Sequence, residues 1–468
     1  MSVTPFVNRN TELAALRRWW RTSERAAVVW GRRRVGKTAL LQQFASALDA
    51  PVIFHTGVGR PAVGEVTQLA RQVAATMDHP VRDLLSRPYT SWDDALEDVV
   101  GLAADTPLLL VLDEFPELLS GAPELTGVLR ALHDRTAGRT RLRILLCGSA
   151  VRHMQLLQDE RAPLFGRFDL ALQVHPFQPH EAALMLPDLP AEVSALVYGL
   201  LGGVPLYLSW WDQAAPVADN LTRLAGTPGA RLLTEGQLVV ATEADHGDLP
   251  AAVLHAIADG RTTYTEIKNA VRAEPARVLD RLVALRLVER LAPVTDTARG
   301  RRVSYRIADN FLALHLGLLS RFRAEIERGL GPSIMPVLLA GLDDFMGPRW
   351  EEMFRSHLRL LAAAGQLDPE IVAVGPWWSS DGQVEIDAVA LAGRSRIPVL
   401  VGEAKWSARV DGAALTARLR RQAAHLPGAD PDTVLPVICA RSGITGAPLD
   451  VLTVTAADIM SGDQAPGL

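Results

Sequence analysis

The chain has 468 residues, 48% of them hydrophobic and 22% charged, and a formal net charge of −5. That length exceeds what one hydrophobic core organises, so three or four domains of ordinary globular composition are expected, and a wholly basic nucleic-acid coat is excluded. Two cysteines, Cys147 and Cys439, each inside an apolar run, exclude a disulfide framework and lack metal-ligand spacing. The opening MSVTPFVNRNTEL has no apolar signal core and no uncharged run reaches the length of a bilayer span, so a cytoplasmic protein with no membrane partner is expected.

In chain order, the apolar runs at 26–30, 51–55, 107–112 and 143–148 read as buried strands, with helices at 38–48 and 125–135 between them. Their continuity, instead of strict alternation, predicts a parallel sheet covered on both faces, hence an α/β domain over 1–175. The segment 176–248 is expected to be helical. Residues 249–312 read as three helices followed by a short β-hairpin, and 313–348 as a helical linker holding a Gly- and Pro-rich hinge from 329. The last region, 349–468, mixes helices at 350–364 and 412–425 with several strands.

Gly31-Arg-Arg-Arg-Val35-Gly36-Lys37-Thr38 fits G-x-x-x-x-G-K-S/T in full, directly after one strand and directly before a helix beginning Thr38-Ala39. Glycines let main-chain N–H groups turn inward around phosphate oxygens, and the helix presents its positive end to the same anion. Lys37 is expected at the β- and γ-phosphates of ATP, and the Thr38 hydroxyl on Mg²⁺. A second apolar run delivers Asp113 and Glu114 at its C-terminal end, the edge where ligands of such sheets bind. Asp113 is expected to hold the magnesium and Glu114 to polarise the attacking water.

From about residue 5 to 210 the chain resembles the archaeal-type ATPase family of the AAA+/STAND group. Phe6 to Leu13 is similar to that family's opening box near the adenine, with Arg9 in its arginine position and Asn8 replacing the usual glycine. Asp113-Glu114-Phe115 resembles its Walker B ending. The resemblance implies that Ser149 senses the γ-phosphate, that Arg167 in Pro163-Leu-Phe-Gly-Arg167 reads it, and that Gly203 and Pro205 contact the base from a helical lid. Arg32, Arg33 and Arg34 read as a solvated tip.

Residues 249–308 carry eleven Lys and Arg against six Asp and Glu. Their helices and hairpin resemble a winged helix-turn-helix, whose third helix enters the major groove. Arg272, Arg277, Arg281, Arg301 and Arg302 are candidate DNA contacts, mainly to phosphates. Intramolecular packing or protein interaction is the alternative role of such a module.

In the C-terminal region, the strand period of two puts Glu385 and Asp387 on one face, and Glu403 and Lys405 on one face of a neighbouring strand. Carboxylates so placed bind Mg²⁺, and a lysine beside them orients or deprotonates a water. This resembles the PD-(D/E)xK nuclease core, with Glu351, Asp387 and Glu403 as metal ligands and Lys405 as the catalytic lysine. It also matches the DUF234 domain that accompanies this ATPase family. The expected fold class is therefore α/β and multidomain: ATPase, helical lid, winged helix and a restriction-endonuclease-like domain. ATP or ADP and Mg²⁺ are the expected cofactors; DNA and a second copy of the chain are candidate partners. The expected function is an ATP-driven DNA-processing or defence protein, the alternative a nucleotide-switched signalling ATPase that cleaves nothing.

Overall fold

The computed structural model describes residues 6–22, 24–77, 82–136, 138–243, 248–296 and 302–462. They fall into two compact units, Met1–Pro176 and Phe177–Leu468. The first unit is built on a five-stranded parallel sheet of order β2-β3-β4-β1-β5, with β1 Ala26–Trp30, β2 Val52–Thr56, β3 Leu108–Asp113, β4 Leu142–Gly148 and β5 Leu170–Gln173. All six residues of β3 are buried, as the unbroken apolar run requires of a strand covered on both faces. One covering layer comes from the helices Asn10–Arg21 and Lys37–Ser46, whose Leu16, Trp19, Leu40, Leu41 and Phe44 close over Val29, Val111, Leu145 and Cys147. Each such side chain taken from water contributes about 1.5–3 kcal/mol. Parallel strands end at one edge of the sheet, so the segments following β1, β3 and β4 meet there.

The second unit begins with helices from Pro179 to Glu243 and continues into Asp248–Ala258, Tyr264–Val271 and Ala276–Ala284. An antiparallel ribbon of β6 Val288–Leu291 and β7 Ser304–Ile307 follows. After the long helix Leu342–Ala363, a mixed sheet runs β8 Ile371–Trp378, β9 Glu385–Ala392 and β10 Ile397–Lys405 as an antiparallel meander. A short strand β11 Arg409–Asp411 leads into the crossover helix Gly412–Ala423. That helix then returns the chain to β12 Leu435–Ala440, parallel to β10. The short β13 Gly443–Thr445 pairs β11, and β14 Leu452–Val454 completes the sheet order β14-β12-β10-β9-β8.

The chain does kink at Gly329, whose φ is 88°, but the rest of the expected hinge at 329–348 is helix: Gly331–Ala340 and Leu342–Ala363, with Pro336 and Pro348 inside them. Glycine serves packing there, because a Cβ on Gly331 would lie 1.8 Å from the Gly226 carbonyl oxygen. Burial of Met335, Leu338, Leu342, Phe345 and Met346 offsets the backbone bonds the prolines forgo. One core runs from Phe177 and Leu254 through Phe311, Trp350 and Phe354 to Val437 and Met460. The segments divided at 248, 312 and 348 in the sequence therefore share a single interior.

Candidate functional site

The phosphate-loop segment leaves β1 and enters the helix Lys37–Ser46 through Gly36, whose φ of 90° only glycine adopts without strain. Gly31 is fixed by close approach: a Cβ there would sit 2.2 Å from the Val174 oxygen. Val35 is buried beneath the loop, and Ala39 lies in the first helical turn. The Lys37 ammonium donates to the carbonyls of Gly31 and Arg32, both at 2.9 Å. Arg32 is buried, which corrects the reading of Arg32 to Arg34 as a wholly solvated tip. The Thr38 hydroxyl donates to Asp113 Oδ2 at 2.8 Å, so the ends of β1 and β3 meet through these two side chains. A hydroxyl and a carboxylate facing each other at that range are oxygen donors of the kind a hard cation takes, so Thr38 and Asp113 would hold Mg²⁺.

Glu114 sits at a φ of 47°, and its carboxylate accepts from the Ser149 hydroxyl at 2.8 Å and the Ser149 amide at 3.2 Å. A non-glycine residue in the left-handed region costs of order 1–3 kcal/mol and marks a constrained position. Ser149 therefore faces the Walker B glutamate directly, a pairing that sequence spacing gave no means to find. Arg9 joins the cradle from the opening box, donating to the Val35 carbonyl and to Glu12 at 2.9 Å each. Asn8 and Arg9 both have positive φ, 58° and 65°. This explains the glycine usual at that position, since asparagine is among the few side chains that tolerate the conformation.

Arg167 lies elsewhere in its own chain. It precedes β5, whose Leu170 pairs with Ala27 at the start of β1, and it donates twice to Asp134 at 2.9 Å. The cradle follows the other end of β1, five residues of strand away, which is roughly 16 Å. The expectation that Arg167 reads the phosphate is corrected for the chain's own site. Gly203 is held by the close approach of Phe177, whose oxygen would lie 1.9 Å from a Cβ, and Pro205 opens the short helix Pro205–Leu208.

The basic module folds as three helices and an antiparallel ribbon. Arg272 and Arg277 are exposed, and Arg281 is half-buried. Arg302 is engaged: its guanidinium pairs with Asp296 and donates to the Trp378 carbonyl at 2.6 Å, so it serves packing within the unit and is corrected as a free phosphate contact. Arg301 lies outside the described residues.

On the C-terminal sheet, Gly402 pairs with Ala388, and continuing that register sets Glu403 against Asp387. Lys405 Nζ lies 2.7 Å from Glu403 and 4.0 Å from Asp387, and Asp387 Oδ2 accepts from the Ala404 amide at 2.8 Å. Burial, with the Glu351 and Glu403 carboxylates near, pushes the Asp387 carboxyl up to about 7; burial also raises Glu351. Burial works to lower Lys405, but its bond to Glu403 and the charge of Asp387 prevail and raise it. Among the described residues, however, no three carboxylate, histidine or cysteine side chains converge to hold a metal ion. The expected triple ligation by Glu351, Asp387 and Glu403 is corrected accordingly: the lysine ammonium clasps Glu403, while Glu351 lies 3.7 Å from the buried Arg355. Arg355, which also donates to the Asp387 carbonyl at 2.6 Å, and Arg418, 3.7 Å from Glu403, are site residues that sequence reasoning missed. The i,i+4 spacing of Arg355 from Glu351 was the available signal.

Residues 6–210 match the model of an ATPase domain predominantly from Archaea, and residues 316–418 match DUF234, described as archaeal and bacterial proteins of unknown function. An uncharacterised protein of Methanocaldococcus jannaschii is 25% identical over 406 residues, 86% of this chain and 87% of its own length. A Walker-type ATPase of Pyrococcus abyssi shares the fold with a TM-score of 0.50 and 19% identity, over 66% of this chain and 96% of that one. The Aeropyrum pernix ORC2 protein, solved in ADPNP–ADP complexes, superposes with a TM-score of 0.45 and 15% identity, over 72% of this chain and 97% of that one. The phosphate loop and its acidic partner thus lie in a segment that matches an ATPase domain predominantly from Archaea, and a segment matching DUF234 follows toward the C-terminus.

Proposed function

We propose that the chain hydrolyses ATP at the cradle between Gly31 and Thr38 and that its second unit acts on nucleic acid through a nuclease-like C-terminal sheet. The observation that carries the first part is the Thr38 hydroxyl on Asp113 at 2.8 Å, with Glu114 as the next residue. In this reading Lys37 leaves the loop carbonyls to neutralise the terminal phosphates, and Thr38 and Asp113 would hold a magnesium ion, which would supply electrostatic stabilisation of the transferred group. Glu114 accepts a proton from the attacking water, positioned by Ser149. Arg167, remote from its own cradle, acts on that of a neighbouring copy.

For the second unit, Asp387 and Glu403 on adjacent strands supply oxygen donors, and the exposed Arg272 and Arg277 supply phosphate contacts. Magnesium-dependent assays of ATP turnover and of plasmid and single-stranded DNA cleavage, on the parent and on Lys37→Ala and Asp387→Ala chains, test both parts. ATP turnover lost with Lys37→Ala and cleavage lost with Asp387→Ala are expected. Equal turnover or equal cleavage by the variants overturns the corresponding part. The clasp of Lys405 on Glu403 favours a second reading, in which the sheet is a protein-binding surface and the ATPase a signalling switch. That reading predicts ATP turnover with no DNA cleavage by the parent.

A further inference from the structure

A cavity of about 500 Å³ opens inside the second unit, among the ends of the helices Asp248–Ala258 and Asn310–Leu314, strand β7 and the long helix Leu342–Ala363. Three guanidiniums line it, those of Arg306, Arg321 and Arg349, against two carboxylates, those of Asp344 and Glu352. Their pairing is unequal. Arg306 is saturated by Glu289 at 2.7 Å and Glu352 at 2.8 Å, and Glu352 is shared further with Arg355 and Arg359. Arg321 lies 3.4 Å from Asp259. Arg349 has no carboxylate within ion-pair distance among the described residues. It makes one hydrogen bond, to the Phe345 carbonyl at 3.0 Å, and its guanidinium lies 3.9 Å from the centre of the Phe345 ring.

A half-buried guanidinium gains most from an acceptor that takes two of its donors at once. Here its Nε and Nη2 have no protein partner among the described residues, and neither do the hydroxyls of Thr262 and Tyr305 on the same wall. The remaining wall brings Asn310 and the exposed Asp344 carboxylate, which has no ion-pair partner among the described residues, together with apolar Ile257, Leu318 and Phe345. A concave site of this size, mostly apolar with a few polar donors and a half-buried cation, with Asp344 exposed, has the usual form of a small-ligand pocket.

We propose that this cavity binds a small organic oxyanion, a carboxylate or a phosphomonoester on an apolar body, with Arg349 as its counter-charge. Tyr305 and Thr262 donate to the remaining oxygens, and the apolar body lies against Phe345 and Leu318. The site joins the strand β7 to the helix that carries Glu351, so an occupant ties the basic module to the C-terminal sheet. It stands apart from the nucleotide reading and does not depend on it.

Isothermal titration calorimetry of the full chain carrying Lys37→Ala, which silences the phosphate cradle, tests this with phenyl phosphate in one arm and benzoate in the other. One molecule per chain is expected to bind in at least one arm, and the stronger arm identifies the oxyanion. Adding Arg349→Gln is expected to weaken that binding about tenfold or more, and Arg349→Lys to fall between. Without a probe, Arg349→Gln is expected to unfold at the same temperature or higher, since it removes a charge lacking a counter-ion. Should Arg349→Gln fail to fold, Tyr305→Phe is expected to weaken binding severalfold. No heat in either arm up to roughly 10 mM, or undiminished affinity in Arg349→Gln or in Tyr305→Phe, overturns the proposal.

Discussion

Lys37 donates to carbonyls of the loop that it anchors, so in the proposed reading ATP binding exchanges two internal hydrogen bonds for contacts with phosphate. The exchange is favourable because a charge-assisted bond to an anion is roughly twice as strong as one to a neutral carbonyl. Lys37→Ala is therefore expected to lose ATP binding in an equilibrium titration with a fluorescent analogue while keeping the parent's circular dichroism. Glu114→Gln keeps the shape but removes the carboxylate proposed as the base, and is expected to lower kcat by about 10²–10⁴ with little change in ATP affinity. If Ser149 positions that carboxylate, Ser149→Ala lowers kcat roughly tenfold or more while KM for ATP stays nearly constant. An equal change in both constants would assign Ser149 to binding instead. At Asn8, whose φ is 58°, a β-branched replacement must adopt the left-handed conformation; Asn8→Val is expected to lower stability by about 1–2 kcal/mol in chemical denaturation.

At the scale of elements, the short helix Asn310–Leu314 sets Phe311, Leu312 and Leu314 into the core of the second unit and begins at a buried cap. Asp309 accepts from the Leu312 amide at 2.6 Å. Asp309→Ala is expected to cost about 1–2 kcal/mol, read as a lower urea midpoint with an unchanged m-value. The basic module offers a sharper contrast. If its exposed arginines contact DNA phosphates, Arg272→Ala and Arg277→Ala each reduce the slope of log affinity against log salt by about one. Arg302→Ala instead weakens the packing of the ribbon on β8, because Arg302 is tied to Asp296 and Trp378, and is expected to lower the unfolding temperature with the salt slope unchanged.

At the scale of the whole chain, acid acts on the second unit through two histidines. Burial pushes both His315 and His357 down to about 4, so they stay neutral in the fold while the unfolded chain takes up protons below about 6.5. Stability from these groups is intact above pH 6.5 and falls as pH drops toward 4, by about 1.4 kcal/mol per unit for each. Urea midpoints at pH 7.5 and pH 5 are expected to show the loss, and His357→Leu to reduce it. Much of the first unit was legible locally. The phosphate loop, the strand ending in Asp113-Glu114 and the parallel sheet follow from motif, apolar runs and chain order, because each is specified over a few consecutive residues. Nothing local marked the Ser149–Glu114 contact, the place of Arg167 at the far edge of the sheet, or the Lys405 clasp, since each joins residues on separate strands or loops. The Gly- and Pro-rich stretch bends at Gly329 but misled beyond it, because glycine permits a close approach, as at Gly331, as readily as a bend, and only the neighbouring backbone decides between them. The residues by themselves determined the phosphate-loop motif with its acidic partner strand and the class of fold. Tertiary structure alone decided which charges are neutralised and which stand without a partner, because that depends on what the rest of the chain brings within a few ångströms.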